Sequence, residues 1–147
     1  MTEIETTPFG FLTYAESYGR AAFLLVRAID EGARMGWSAP VATLALHCIE
    51  LSLKSVLVKD GMAPSELRQE YGHNIKKLFA ATPLDWSDVD TNAIDFNDDA
   101  LGPVPRYRRQ DRPYNILHKE RLFPLMETVF HRCLRYIDQE ARRTLRP

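Results

Sequence analysis

The chain is poor in cysteine, in glycine and in net charge, and each shortage excludes a class of protein. Its 147 residues include two cysteines and seven glycines, which supply neither the disulfide framework of a small secreted domain nor a glycine-rich phosphate loop. Nineteen basic and twenty acidic side chains leave a formal net charge of -1, so no global field attracts nucleic acid or an anionic membrane. Any contact with RNA must therefore come from a local basic segment.

Long uninterrupted apolar runs are also missing. The longest apolar region, residues 41–58, contains His47, Glu50 and Lys54, and a membrane-spanning helix rarely carries such side chains. The first ten residues lack the basic start and the continuous apolar stretch of a secretory signal. Both cysteines lie in apolar helical patterns, which favours reduced, buried thiols over a disulfide. We expect a cytoplasmic protein that does not enter a membrane.

Apolar residues recur at every third or fourth position along several segments, and this spacing predicts amphipathic helices. Gly61 should end the second of them, because glycine readily takes the left-handed conformation found after helix ends. No segment shows the alternation of a strand. We predict one all-α domain over residues 1–147, an up-and-down bundle of four to five helices. The predicted long helices cover residues 9–34, 39–59 and 121–143, and the short ones cover 64–71 and 75–81.

An acidic segment is followed by a basic one. Residues 85–101 hold six aspartates and no lysine or arginine, which indicates a weak helix with a solvated acidic face. Residues 102–113 hold three prolines and four arginines, and proline favours an extended loop. This loop could bind phosphates and stack a base, but pairing with the aspartates needs no ligand, and we favour it. The candidate contact residues, called the arginine segment below, are Arg106, Tyr107, Arg108 and Arg109.

The second predicted helix carries a polar stripe. His47, Glu50 and Lys54 follow spacings of three and four, so they share one helix face, and the order of Glu50 and Lys54 favours an ion pair. If that face is buried, its charges need partners, and the nearest in sequence are His73 and Asn74. We predict a polar network of these five residues that fixes the connector against the helix. The alternative is a binding or catalytic site, since converging charged groups shift one another's pKa.

Residues 46–57, together with the glycine-histidine turn that follows them, resemble HEPN domains. Bacterial members of that family carry a Glu-Leu-x-Leu-Lys core on a helix, followed after a short loop by Gly-His and a leucine. In this chain the matching residues are Glu50-Leu51-Ser52-Leu53-Lys54, Gly61, Gly72-His73-Asn74-Ile75 and Leu78, and Arg106-Tyr107 extends the match loosely. The resemblance implies an up-and-down bundle, frequent homodimerisation, and association with RNA processing, toxin–antitoxin pairs or nucleotidyltransferase partners.

The resemblance also implies a possible catalytic pair. Catalytic HEPN proteins are metal-independent ribonucleases that use an arginine and a histidine separated by four to six residues, usually on the last major helix. Arg112 and His118 have five residues between them, and Arg68 and His73 have four. About one such pair is expected by chance in a chain of this composition. Pro113 also departs from the family, in which a polar residue usually follows the arginine.

If Arg112 and His118 were active, the resemblance implies a role for each. His118 would act as general acid or base toward a ribose hydroxyl, and Arg112 would stabilise phosphate charge.

Sequence spacing offers no metal or cofactor site, since His131 and Cys133 are two apart on a predicted helix and face different directions. The aromatic residues of the first helix are expected in the core or at a dimer surface. They are Phe9, Phe11, Tyr14, Tyr18 and Phe23.

The leading hypothesis is a HEPN-like interaction module, homodimeric and linked to RNA or toxin–antitoxin-type systems, without catalysis of its own. Its expected partners are RNA or a nucleotide, and a protein such as a nucleotidyltransferase, and no cofactor is expected. The alternative is a metal-independent endoribonuclease that uses Arg112 and His118. A third possibility is a small-ligand pocket around Glu50, Lys54 and His73.

Overall fold

The regular structure of the chain is helical in all three ranges that the computed structural model describes, residues 7–30, 39–94 and 119–147. No strand occurs within these ranges, so the predicted all-α class is confirmed. The helices are α1 (Pro8–Asp30), α2 (Ala39–Lys59), α3 (Pro64–Glu70), α4 (Ile75–Ala81) and α5 (Lys119–Ile137), and one turn of 3₁₀ helix lies at Thr91–Ile94.

One hydrophobic core gathers side chains from every helix. Helix α2 packs mainly against α1 and α5 and also against α4. Its residues Ile49 and Leu53 are fully buried, as are Leu12 of α1 and Phe130 of α5. Since α2 has neighbours on several sides, most of its surface must be apolar, which explains the nearly continuous apolar pattern of residues 41–58.

By length and composition α2 could also cross a membrane. The stretch Pro40–Lys59 has a mean hydropathy of 1.6, and 67% of it is buried inside the protein. A core helix meets the same criterion when its neighbours enclose it, and α2 is enclosed in this way by α1 and α5.

The end of α2 follows the sequence prediction. Gly61 has a φ of 103°, a backbone conformation that side chains with a Cβ rarely adopt. The Gly61 N–H donates to the carbonyl of Val58, and the Met62 N–H donates to that of Leu57, both at 3.0 Å. These two bonds form the Schellman motif, which satisfies carbonyls that the ending helix leaves free.

The last helix differs from its prediction at both ends. Helix α5 begins at Lys119, two residues before the predicted start, and therefore contains Pro124. It ends at Ile137 rather than at residue 143. Residues 138–147, called the C-terminal tail below, turn back toward α1, and Leu145 is fully buried in the core. The prediction of helix to residue 143 was wrong because burying Leu145 requires the chain to leave the helix axis.

The acidic segment is also less helical than predicted. Turns follow Asp85, whose side chain accepts a hydrogen bond from the Ser87 N–H at 2.9 Å, and only Thr91–Ile94 forms a helical turn. Trp86 anchors the segment, since its indole N–H donates to Thr82 Oγ1 at 2.8 Å. The predicted helix is therefore wrong for residues 85–90. Residues 95–101 and the predicted loop at 102–113 lie outside the described residues.

Two aspartates of this segment, Asp88 and Asp90, pair with arginines of α5. Arg132 binds both carboxylate oxygens of Asp88 at 2.8 Å, and Arg121 donates to Asp90 at 2.8 Å. The proposed partners of these aspartates, Arg106–Arg112, lie in the part of the chain that is not described. The bonds from α5 hold the acidic segment against the last helix.

Candidate functional site

Three cationic or imidazole side chains converge on the buried carboxylate of Glu50. Nδ1 of His73 lies 2.7 Å from Glu50 Oε1, and the ammonium of Lys54 lies 3.1 Å from the same oxygen. Nδ1 of His47 lies 3.5 Å from the other oxygen, Oε2. We call these four residues the Glu50 cluster. The predicted network around Glu50 thus forms in the structure.

The local sequence explains how the cluster assembles. His47, Glu50 and Lys54 share one face of α2 because a helix repeats every 3.6 residues. His73 arrives from the turn between α3 and α4, where Gly72 has a φ of 52° and its N–H donates to the carbonyl of Leu67 at 3.2 Å. A left-handed residue after α3 reverses the chain, which places His73 over α2.

Asn74, the fifth predicted member, supports the turn rather than contacting the carboxylate. It is the N-cap residue of α4, and its side-chain oxygen accepts a hydrogen bond from the Lys77 N–H at 3.2 Å. Such a cap satisfies one of the backbone donors that a helix start leaves open. Asn74 therefore fixes the backbone next to His73.

The electrostatics of the cluster are dominated by the enclosure of Glu50, which is 1% exposed. Burial alone would raise the pKa of Glu50, because it disfavours the charged form. The His47 ring beside Oε2, the positive charge of Lys54 and the contact with His73 outweigh burial and hold the pKa of Glu50 below its ordinary value. Glu50 is accordingly an ionised acceptor at neutral pH.

The other members of the cluster differ in their access to solvent. The side chain of Lys54 is 13% exposed and that of His73 is 54% exposed. The ring of His47 stacks on Tyr18 of α1, with ring centroids 5.0 Å apart and planes inclined by 24°. The cluster therefore ties together α1, α2 and the α3–α4 turn, and it presents only His73 substantially to solvent.

This arrangement suits a structural clamp better than a catalytic base. The donors converge on Glu50 rather than on an open space, and each Glu50 oxygen already has a partner. A general base needs a free lone pair within hydrogen-bond reach of the proton that it removes. No buried side-chain polar atom among the described residues lacks a partner, so the buried part of the clamp is satisfied by its own members.

The predicted catalytic and RNA-contacting residues lie outside the described residues. These are the pair Arg112 and His118 and the arginine segment, Arg106, Tyr107, Arg108 and Arg109. The second candidate pair falls within the description. Arg68 is exposed on α3, and His73 is bound to Glu50. Of that pair only His73 belongs to the clamp, and no contact of Arg68 with Glu50 occurs among the described residues.

The two thiols are free and buried, as predicted. Burial raises the pKa of both Cys48 and Cys133 far above the ordinary range of a thiol. Since the thiolate is the nucleophile, neither side chain is prepared for covalent catalysis. Within the described ranges no group of three or more His, Cys, Asp and Glu side chains is placed to hold a metal.

Sequence reasoning missed a polar depression of about 440 Å³ on the outer face of α5. Arg132 there lies over the ring of Trp86, 5.1 Å from its centroid, and pairs with Asp88. The residues that line the depression are spaced by three and four, so the sequence could have shown that they share one helix face. It could not have shown that Trp86 and Asp88, distant in sequence, contact Arg132 there. The depression is lined by Glu127, Thr128, His131, Arg132 and Arg135.

Comparison of this chain with family models, with curated proteins and with solved structures gives no match in any of the three. The resemblance to HEPN domains therefore depends on the residues of α2 and of the glycine-histidine turn, and it stays a hypothesis.

Proposed function

We propose that this chain is a HEPN-like interaction module that pairs with a second copy and has no catalysis of its own. The supporting observation is the enclosed Glu50 cluster. The residues that resemble the family motif, Glu50, Lys54 and His73, bind one another. A motif whose polar groups satisfy each other stabilises a fold, and its function must be carried by another surface.

Helix α1 offers such a surface for self-association. Tyr14 and Leu24 are 42% and 56% exposed, and at 100° per residue they lie on the side of α1 opposite the buried Leu12 and Ala15. Ala21 and Ala28 lie between and beside them, and small residues allow close approach of a second helix. We propose that this stripe forms the contact between the two copies of a homodimer. The proposal includes an up-and-down topology for the bundle and a cytoplasmic location for the protein.

The mass of the protein in solution tests this proposal. Analytical ultracentrifugation of the wild type should give a dimer, and Leu24→Lys should give a monomer, because a buried lysine at the contact has no partner. Gln69→Lys, which adds the same charge at an exposed position of α3, should remain dimeric. A wild-type protein that stays monomeric at every concentration would refute the self-association.

The arginine segment is the proposed contact for RNA, within a toxin–antitoxin-type system or beside a partner such as a nucleotidyltransferase. Arginines interleaved with tyrosine can bind phosphates and stack a base. Binding of single-stranded RNA should weaken steeply as salt rises and should be lost in the Arg108→Ala, Arg109→Ala protein. Binding that is unchanged in that variant would exclude the segment as the contact.

A metal-independent endoribonuclease is the second candidate, based on the family-like spacing of Arg112 and His118 just before α5. Total RNA incubated with the protein in excess chelator should then be cleaved, and His118→Ala should abolish cleavage. His131→Ala, which changes a histidine of α5 outside the proposed pair, should leave cleavage intact. Loss of activity in both variants, or in neither, would count against this assignment.

A further inference from the structure

The C-terminal tail has one fully buried side chain, Leu145, which lies in a fitted socket, and Ala141 packs beside the core as a partly buried residue. Leu145 is fully buried although its neighbours Thr144 and Arg146 are exposed. The socket exists because position 19 of α1 is glycine. A Cβ at Gly19 would lie 2.9 Å from both Leu145 Cδ atoms and from Cys48 Sγ, closer than carbon and sulfur atoms pack. The leucine thus occupies space that α1 leaves open.

Charged side chains flank this socket on the surface. Arg143 pairs with Glu16 of α1 at 3.1 Å, and Arg146 binds both carboxylate oxygens of Glu127 of α5 at 2.9 and 2.7 Å. Arg20 donates through Nε to the Thr144 carbonyl at 3.2 Å. The surface of α1 and α5 around the socket, called the groove below, has Glu16 on one side and Glu127 on the other. The tail therefore binds as a short peptide would, with a central leucine and one basic residue toward each of these glutamates.

The fastenings around the leucine are readily reversible. The side chains of Arg143 and Arg146 are 40% and 68% exposed, and their partners Glu16 and Glu127 are 17% and 20% exposed, so solvent reaches both pairs from the arginine side and salt screens them. Segments with one buried anchor and exposed polar contacts open more easily than the core does. We therefore expect the tail to open without unfolding of the other helices.

The sequence of the tail favours a different backbone from the one it adopts. Residues 138–143, Asp-Gln-Glu-Ala-Arg-Arg, consist mostly of good helix formers and would continue α5. Instead Asp138 accepts from the N–H groups of Glu140 and Ala141 at 3.0 and 3.2 Å and closes a turn. Local preference and the docked position thus conflict, which is the condition for an element with two states.

We propose that the tail is exchanged between copies of this chain. When α5 extends through Arg143, by about 9 Å of added helix, Leu145 leaves its own socket and enters the same socket of a second copy. The socket of Leu145 and the acidic partners of Arg143 and Arg146 are then offered by the partner, and helical hydrogen bonds replace those of the Asp138 turn, so exchange costs little. This inference rests on the proposed function in taking a second copy as the occupant, and it names a contact that the α1 stripe does not provide.

A second copy carries the same tail, so it matches the groove in charge as the chain's own tail does. The groove presents Glu16 and Glu127, and the tail presents Arg143 and Arg146 around Leu145. This match makes it possible to direct exchange. One full-length variant carries Glu16→Arg and Glu127→Arg, and a second carries Arg143→Glu and Arg146→Glu. Within each variant the groove and the tail repel, whereas between the two variants both possible dockings are matched.

Native mass spectrometry of the two variants, alone and mixed in equal amounts, tests the proposal because the heterodimer differs in mass from either homodimer. We expect heterodimer several-fold above its statistical share. The excess should disappear when Leu145→Ala is added to both chains, since exchange needs the leucine in the socket.

Three outcomes would overturn the exchange. An excess that persists with Leu145→Ala would reflect general charge attraction. Heterodimer at its statistical share would mean that copies pair through the α1 stripe alone, and the proposed function would stand without exchange. No dimer in any sample, including the wild type, would remove both proposals together.

Discussion

The Glu50 cluster and the C-terminal tail fasten irregular backbone to the helices in opposite ways. In the cluster a buried charge lies at the centre, and its donors surround it. In the tail a buried leucine lies at the centre, and the charged pairs remain at the surface. A buried charge without partners is costly wherever it lies, whereas an apolar anchor can be withdrawn together with its segment. The first contact should therefore support the whole fold and the second should hold only one segment.

The largest effect is expected from Glu50→Ala. This change leaves Lys54 and both histidines without their shared acceptor, and breaking one side of a buried ion pair costs about 3 kcal/mol or more. The free energy of unfolding measured in urea should fall by this amount, with one cooperative transition. Glu70→Ala, which removes an exposed glutamate of α3, should change it by less than about 0.5 kcal/mol. Equal losses of unfolding free energy in the two variants would contradict the expected difference between a buried and an exposed carboxylate.

Leu145→Ala should have a smaller and more local effect, of about 2 kcal/mol. Removing the Leu145 side chain should release the tail. The amides of α2 should stay protected from hydrogen exchange, because no other tail residue of that size is part of the core. Hydrogen exchange of amides 138–147 should speed up strongly, and Cys48 should react faster with a thiol reagent. Arg142→Ala, at an exposed position of the same tail, serves as control. Slow exchange throughout the tail of Leu145→Ala would show that the leucine is not its anchor.

The next largest effect should be the pH dependence of the unfolding free energy that arises from Glu50. Because the folded-state pKa of Glu50 is lowered, its contribution is complete above the unfolded pKa of about 4.3 and is lost as pH falls through the folded value. Urea unfolding of the wild type and of Glu50→Gln at several pH values should therefore give curves that approach each other in acid. A difference that stays constant down to pH 3 would contradict an ionised Glu50 in the folded protein.

The smallest effect is expected from Arg146→Ala. Its guanidinium lies over the ring of Phe23, 5.7 Å from the centroid, and pairs with Glu127 while the arginine side chain stays 68% exposed. Global stability should hardly change, but exchange of the tail amides should rise modestly, and high salt should have the same effect on the wild type. A loss of stability comparable with that of Leu145→Ala would mean that the surface pairs, not the leucine, hold the tail.

The helices and the Glu50 cluster could be predicted because their signals are local and periodic. The bounds of α2 and α4 match the prediction, and α3 differs by one residue at its end. Helical spacing, together with the rule that buried charges need partners, predicts that Glu50, Lys54 and His73 lie together. The stacking of Tyr18 on His47 could not be foreseen, since nothing in the spacing of α1 sets its rotation against α2.

The tail and the acidic segment could not be predicted because distant contacts override local preference. Leu145 is one apolar residue among arginines, so it carries no periodic signal, and its socket depends on the absence of a side chain at Gly19. Asp88 and Asp90 take partners on α5, more than thirty residues away in sequence. The local run of helix formers in the tail favoured the wrong conformation, and this conflict is also the basis for proposing two states.

A double-mutant cycle between Glu50 and His73 tests most directly whether the cluster fastens the α3–α4 turn to α2. Unfolding free energies of the wild type, Glu50→Ala, His73→Ala and the double variant give the coupling between the two side chains. The structure predicts a favourable coupling of about 1 kcal/mol or more, because Nδ1 of His73 lies 2.7 Å from the carboxylate. Strictly additive effects would contradict the clamp, and the proposed function would lose its support.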